Sequence, residues 1–112
     1  MSEQQKETRF DQMRKLAHQY AEAEGQRVQL SEYRKSKKAL LMKEAEKLSP
    51  GMSAAAQERE AYSNPDYVAL LDGLGAATEK ALLCKHLLNI ANIEFEHWRT
   101  KQANARAEAN LR

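Results

Sequence analysis

Three groupings of side chains in this sequence could carry chemistry: a carboxylate–imidazole pair and two clusters of cations. Glu94 and His97 form a Glu-x-x-His pair. Di-iron helical bundles present ligands at that spacing, but each such site takes a second pair from another helix. The first half of the chain offers none. His86 and His97 therefore read as exposed or satisfied structural histidines, and neither a metal nor another cofactor is expected. There is no phosphate-cradling glycine loop, metal-binding cysteine pair or nucleophile elbow. With no nucleophile and base to assign, the chain does not read as an enzyme.

The cations are more informative. Tyr33-Arg34-Lys35-Ser36-Lys37-Lys38 packs four of them into five positions. At 100° per residue, Arg27, Arg34 and Lys38 fall within roughly 20° of one direction, and the Leu30/Leu41 stripe lies about 50° away. They border an apolar seam or interrupt it, where they can snorkel, pair with an acid or line an anion-binding groove. The second cluster is Trp98-Arg99-Thr100-Lys101 with Arg106 and Arg112, opposed from position 98 onward only by Glu108. A tryptophan beside several cations is one way to hold single-stranded nucleic acid, with phosphates neutralised and a base stacked on the ring. Trp98 also falls on a heptad, where such a ring serves as core. Both readings stand at this point.

Helices must position these groups. The chain has 112 residues, enough for one modest domain, and its four Gly and two Pro leave little room for hairpins of strands. Eighteen Lys plus Arg against sixteen Asp plus Glu give a net charge of +2. So slight a basicity implies nothing about nucleic acid unless the charges cluster. The single cysteine, Cys84, forms no internal disulfide, suits a reducing compartment and lies on an apolar seam as a small core residue. The amino-terminal residues are polar, and no apolar run reaches the ~18 residues of a membrane span. A soluble, cytoplasmic protein without a membrane partner is expected.

An all-α chain of three helices follows, treated as a single helical domain over residues 1–112. Ser2 with Gln5 forms a possible capping box, opening a helix over about residues 3–48. Its apolar stripe is Met13, Leu16, Tyr20, Ala23, Leu30, Leu41 and Leu48, and Gly25 weakens it locally. Ser49-Pro50-Gly51 stops that helix, and Ser53 caps a short one over about residues 54–62. Asn64-Pro65-Asp66 then starts the last, over about residues 65–110. From Tyr67 its apolar positions step by three and four through Leu70, Leu74, Ala77, Ala81, Cys84, Leu88, Ala91, Phe95 and Trp98. That is the seam of a helix packed lengthwise on another.

The economical arrangement is an antiparallel hairpin of the two long helices with the short helix at its tip. Centred on the break at residues 49–64, position i then faces about position 113 − i. This brings Leu16 to His97 or Trp98 and the carboxy-terminal cations to Arg9, Arg14 and Lys15. Leu83, Leu87, Ile90 and Ile93 form a second apolar face that one partner helix cannot cover. Burial against another subunit would contribute roughly 1.5–3 kcal/mol per side chain, so oligomerisation through this helix is expected.

Glu58-Arg59-Glu60-Ala61-Tyr62-Ser63-Asn64-Pro65-Asp66-Tyr67, the Leu/Ala-rich helix and Phe95-Glu96-His97-Trp98-Arg99-Thr100-Lys101-Gln102-Ala103 together resemble small helical proteins of tailed phages. The layout over about residues 20–108 is similar to that of the UvsY-type recombination mediators, although Ser49-Pro50-Gly51-Met52-Ser53 departs from their usual tyrosine-rich turn. The resemblance implies an oligomeric protein that binds single-stranded DNA and helps load a recombinase onto DNA coated by single-strand-binding protein. Arg27, Arg34, Lys35, Lys37, Lys38, Trp98, Arg99, Lys101 and Arg106 are then the candidate DNA contacts. The alternative is a coiled-coil interaction module without nucleic acid: an adaptor, an assembly chaperone or an inhibitor of a host enzyme.

Overall fold

The computed structural model describes residues 2–111. It contains three helices, α1 (Glu3–Leu48), α2 (Ala54–Ser63) and α3 (Pro65–Leu111), and no strand among the described residues. The all-α reading, a long helix pair with a short middle helix, holds. Among the described residues no helix is long and apolar enough to cross a membrane.

Local chemistry sets the helix ends. The Ser2 hydroxyl accepts from the Gln5 amide at 3.2 Å while the Ser2 amide donates to Gln5 Oε1 at 2.8 Å, a reciprocal capping box. After Leu48 the Met52 amide donates to the Ser49 carbonyl at 3.2 Å. Pro50 and Gly51 occupy the centre of that turn, and Gly51 adopts φ 87°, the left-handed value that a proline–glycine turn of type II requires. Ser53 caps α2 by accepting from the Ala56 amide. Asn64 closes α2 and opens α3. Its amide donates to Ala61, and its side-chain oxygen accepts from the Asp66 amide at 2.9 Å.

The residues pack as two compact units. One, the turn unit, comprises Glu22–Ala81; the other, the terminal unit, combines Met1–Ala21 with Leu82–Arg112. In the turn unit Leu41, Ala61 and Tyr67 form a small core, with Met42 packed against it. Tyr62 and Tyr67 meet at 5.5 Å between ring centroids. In the terminal unit Phe10 packs on Phe95 at 5.1 Å, Phe95 on Trp98 at 5.6 Å, and the Cys84 thiol donates to Gln19 Oε1. Cys84 is buried, as its place on the seam predicts.

The register differs from the sequence expectation. In the turn unit Lys37 meets Asp66, and Leu30 Cδ1 lies 3.8 Å from where a Cβ on Gly73 would sit. In the terminal unit Arg9 meets Glu94 and Gln19 meets Cys84. Each of these pairs totals 103, not 113. Leu16 accordingly borders a small cavity with Ala91, Glu94 and Phe95, and Lys6 rather than Leu16 reaches Trp98. The cause is α2. It does not sit at the tip but folds back beside the last turns of α1, where Lys38 binds Glu58 and Leu41 packs with Ala61. Only residues 49–53 make the turn.

Every α3 seam position from Tyr67 to Trp98 is buried or half-buried. On α1 the seam runs through Lys6, Phe10, Met13, Leu16, Tyr20, Ala23, Arg27, Leu30, Arg34, Lys37 and Leu41. Leu48, expected on the apolar stripe, is 88% exposed at the last residue of α1. The buried set is mostly small: Ala23, Ala61, Ala77, Ala81 and Cys84, with Leu41 and Tyr67. Small side chains let backbones approach closely but enclose little apolar area, so each helix keeps an outer surface.

Candidate interaction surfaces

The turn unit carries the first cation cluster, and acids answer most of it. Lys37 meets Asp66 at 3.9 Å, Lys35 meets Glu32 at 3.4 Å, and Arg27 holds Glu24 through Nε and Nη2. Lys38 has the fullest set of partners. Its ammonium donates to Glu58 Oε1 at 2.6 Å and lies 4.8 Å from the centre of the Tyr62 ring, while the Tyr62 hydroxyl donates to the same carboxylate at 3.2 Å. The hydrogen bond to Glu58, reinforced by Tyr62, holds the Lys38 ammonium protonated well above the ordinary lysine range. The same bond from Lys38, with that from Tyr62, lowers the Glu58 carboxyl. Arg34 is half-buried on the seam and has no ion pair among the described residues.

The cation cluster of the terminal unit is less neutralised than that of the turn unit. Trp98, half-buried at the end of the seam, separates two open grooves. One, of about 1050 Å³, is bordered by Gln5, Thr8 and Arg9 of α1 and by His97, Trp98 and Lys101 of α3. The other, of about 570 Å³, is bordered by Lys6, Phe95, Trp98, Arg99, Thr100 and Arg106. The Lys6 ammonium stands 5.0 Å from the centre of the indole. The indole Nε1–H is shielded from solvent and has no hydrogen-bond partner among the described residues. Arg9 is paired with Glu94 at 2.8 Å and Arg99 with Glu96 at 3.2 Å. Lys101 and Arg106 are exposed and have no ion pair among the described residues.

Glu94 therefore serves as a partner for Arg9 rather than standing free beside His97. Among the described residues no three His, Cys, Asp or Glu side chains gather where they could hold a metal.

The third surface is apolar. Leu83, Leu87, Ile90 and Ile93 are 57%, 40%, 50% and 62% exposed, and Leu82 joins them at 49%. On the α3 wheel these five occupy an arc of roughly 140°, centred about 140° from the seam of Cys84, Leu88, Ala91 and Phe95. Contiguous exposed apolar ridges of this kind are a common feature of interaction sites.

Nine candidate DNA contacts thus divide between the units: Arg27, Arg34, Lys35, Lys37 and Lys38 in one, Trp98, Arg99, Lys101 and Arg106 in the other. Lys6 was not legible as a neighbour of Trp98, because the ten-residue register difference hid it. Arg9, expected opposite the carboxy-terminal cations, pairs with Glu94 instead, and Arg14 turns to Asp11 on its own helix. The signal for Lys6 was its place one heptad before Met13. No protein-family model, curated protein or solved structure matches the chain.

Proposed function

We propose that this protein is a non-enzymatic, self-assembling accessory factor that binds single-stranded DNA, in the manner of the phage recombination mediators it resembles. The observation that carries the reading is the terminal cluster. Half-buried Trp98 stands between two open grooves edged by Lys101 and Arg106, cations that no described acid neutralises. A strand following either groove would place phosphates against these cations and a base edge against the exposed part of the indole. The ridge of Leu83, Leu87, Ile90 and Ile93 supplies the contact for assembly, and a recombinase or single-strand-binding protein is the protein partner that the resemblance implies.

Trp98 is the single tryptophan of the chain, so its fluorescence reports on this cluster directly. Titration with a single-stranded oligonucleotide at two salt concentrations is expected to show binding whose logarithm falls by roughly 0.7 per phosphate contact for each logarithm of salt. Trp98→Ala should weaken binding by roughly 1–3 kcal/mol with the slope nearly unchanged. A second reading, a helical interaction module with no nucleic-acid role, is favoured by the acids on Lys35, Lys37 and Lys38. Absence of salt-sensitive binding by the wild type would select it.

A further inference from the structure

We infer that a strand bound at Trp98 continues along one edge of α3 to a second station, the groove of Tyr20, Lys85, Asn89 and Asn92. The inference rests on the single-strand binding proposed above and gives the strand its path. This groove lies within the terminal unit and holds about 490 Å³. It is bordered by half-buried Tyr20 of α1 and by Lys85, His86, Leu88, Asn89 and Asn92 of α3. None of these residues is acidic, and none of their polar side chains has an ion pair or hydrogen bond among the described residues. A phenol ring, an ammonium and two unengaged amides can stack a base, neutralise a phosphate and hydrogen-bond a base edge.

The pattern of α3 joins this groove to Trp98. The seam residues Cys84, Leu88, Ala91, Phe95 and Trp98 are followed by Lys85, Asn89, Asn92, Glu96 and Arg99. Each follower lies about 100° round the helix from its seam residue, always on the same side. The same steps of four and three continue to Ala103 and Arg106. Lys85, Asn89 and Asn92 border the Tyr20 groove, and Glu96, Arg99, Ala103 and Arg106 border the smaller groove at Trp98. The larger groove takes Glu94 and His97, which precede Phe95 and Trp98 and so flank the seam on its other side. Lys101 borders the indole from that larger groove and remains a contact at the Trp98 end. One edge therefore carries a cation at each end, Lys85 and Arg106, with amides between them. Its one acid, Glu96, is held by Arg99 at 3.2 Å. Across the smaller groove stand Lys6 and Glu3, 3.7 Å from each other. From Lys85 to Arg106 the edge rises about 31 Å, the length of about nine nucleotides of a stacked strand.

Length dependence tests the path, with Trp98 fluorescence as the readout. Oligothymidylates of about four and about twelve nucleotides are compared, the shorter reaching from Trp98 to Arg106 and the longer covering the whole edge. The longer should bind more tightly. Lys85→Ala should make its salt slope shallower by roughly 0.7 and leave binding of the shorter unchanged, and Lys85→Arg should restore the slope. Asn89→Ala with Asn92→Ala should weaken the longer severalfold at unchanged slope. All three side chains are exposed, so the variants should keep the helical circular dichroism of the wild type. Unchanged binding of the longer strand by Lys85→Ala, beside wild-type binding that is salt-sensitive and weakened by Trp98→Ala, would overturn the path and leave the single-strand reading intact. Equal affinity for the two lengths, or a Lys85→Ala loss shared by both, would overturn the path as well. No salt-sensitive binding at either length would overturn both the path and the reading.

Discussion

The two units solve the problem of the charged seam in different ways. In the turn unit α1 brings Arg27, Lys37 and Lys38 toward the seam, and Glu24, Asp66 and Glu58 meet them there. Its apolar content is concentrated in Leu41, Ala61 and Tyr67. The terminal unit fills its seam with the rings of Phe10, Phe95 and Trp98, and leaves its remaining assets outside: an apolar ridge and the free cations Lys101 and Arg106. Charges that are satisfied internally stabilise a fold, whereas charges and apolar area left outward are available to partners. On the proposed reading, the Lys38–Glu58 and Lys37–Asp66 contacts serve the turn unit's structure and the outward groups of the terminal unit serve recognition.

The largest effect should come from the turn unit's core. Leu41 is 5% exposed, and Leu41→Ala removes a buried side chain at a cost of about 2–4 kcal/mol, measurable by urea denaturation. Leu87→Ala on the ridge should cost the protomer less than about 1 kcal/mol when unfolding is followed at concentrations too low for assembly. Comparable losses from the two would mean that the ridge is core within one protomer, and the division of labour would fail.

A smaller effect separates the two cation clusters. Replacing Lys101 and Arg106 with Ala should make the salt dependence of oligonucleotide binding shallower by roughly 1.4, or 0.7 for each phosphate contact. Replacing Lys35, Lys37 and Lys38 together should change the slope by less than one contact, since their acids already hold them. The reverse ranking would move the nucleic-acid surface to the turn unit.

The smallest effect is a dependence on pH in the docking of α2. Glu58 has its carboxyl lowered by Lys38 and then by Tyr62, so its contribution is present above the ordinary glutamate range and disappears as pH falls through its folded value. Lys38 is raised, so its contribution is complete below the ordinary lysine value of 10.5 and is lost only at higher pH. Between these limits both groups are charged and α2 is held most firmly. Hydrogen exchange of the α2 amides should therefore accelerate on acidification through the carboxylate range, and Glu58→Gln should remove most of that acceleration. Equal acceleration in the Gln variant would assign the effect to other carboxylates.

Sequence alone determined the helices and their ends, because those depend on neighbours a few positions away. Ser2 and Gln5, Pro50 and Gly51, Ser53 and Asn64 each act within four residues, and their hydrogen bonds occur where their spacing placed them. The α3 seam was legible for the same reason: a period of 3.5 repeated from Tyr67 to Trp98 leaves one face to bury. The second face of Leu83, Leu87, Ile90 and Ile93 could be read from the same period. Tertiary structure decided the register and the partners. A seam stepped by three and four looks much alike after a shift of ten, a heptad plus three, so it could not tell whether position i faces 103 − i or 113 − i. That choice fell to the position of α2, which the contacts of Lys38, Leu41, Ala61 and Tyr67 bring alongside α1. With the register came the rest: Asp66 for Lys37, Glu94 for Arg9, Lys6 over Trp98, and an exposed Leu48. Whether a cation on a seam pairs with an acid or stays free depends on residues tens of positions distant. Periodicity, a local property, carries no information about them.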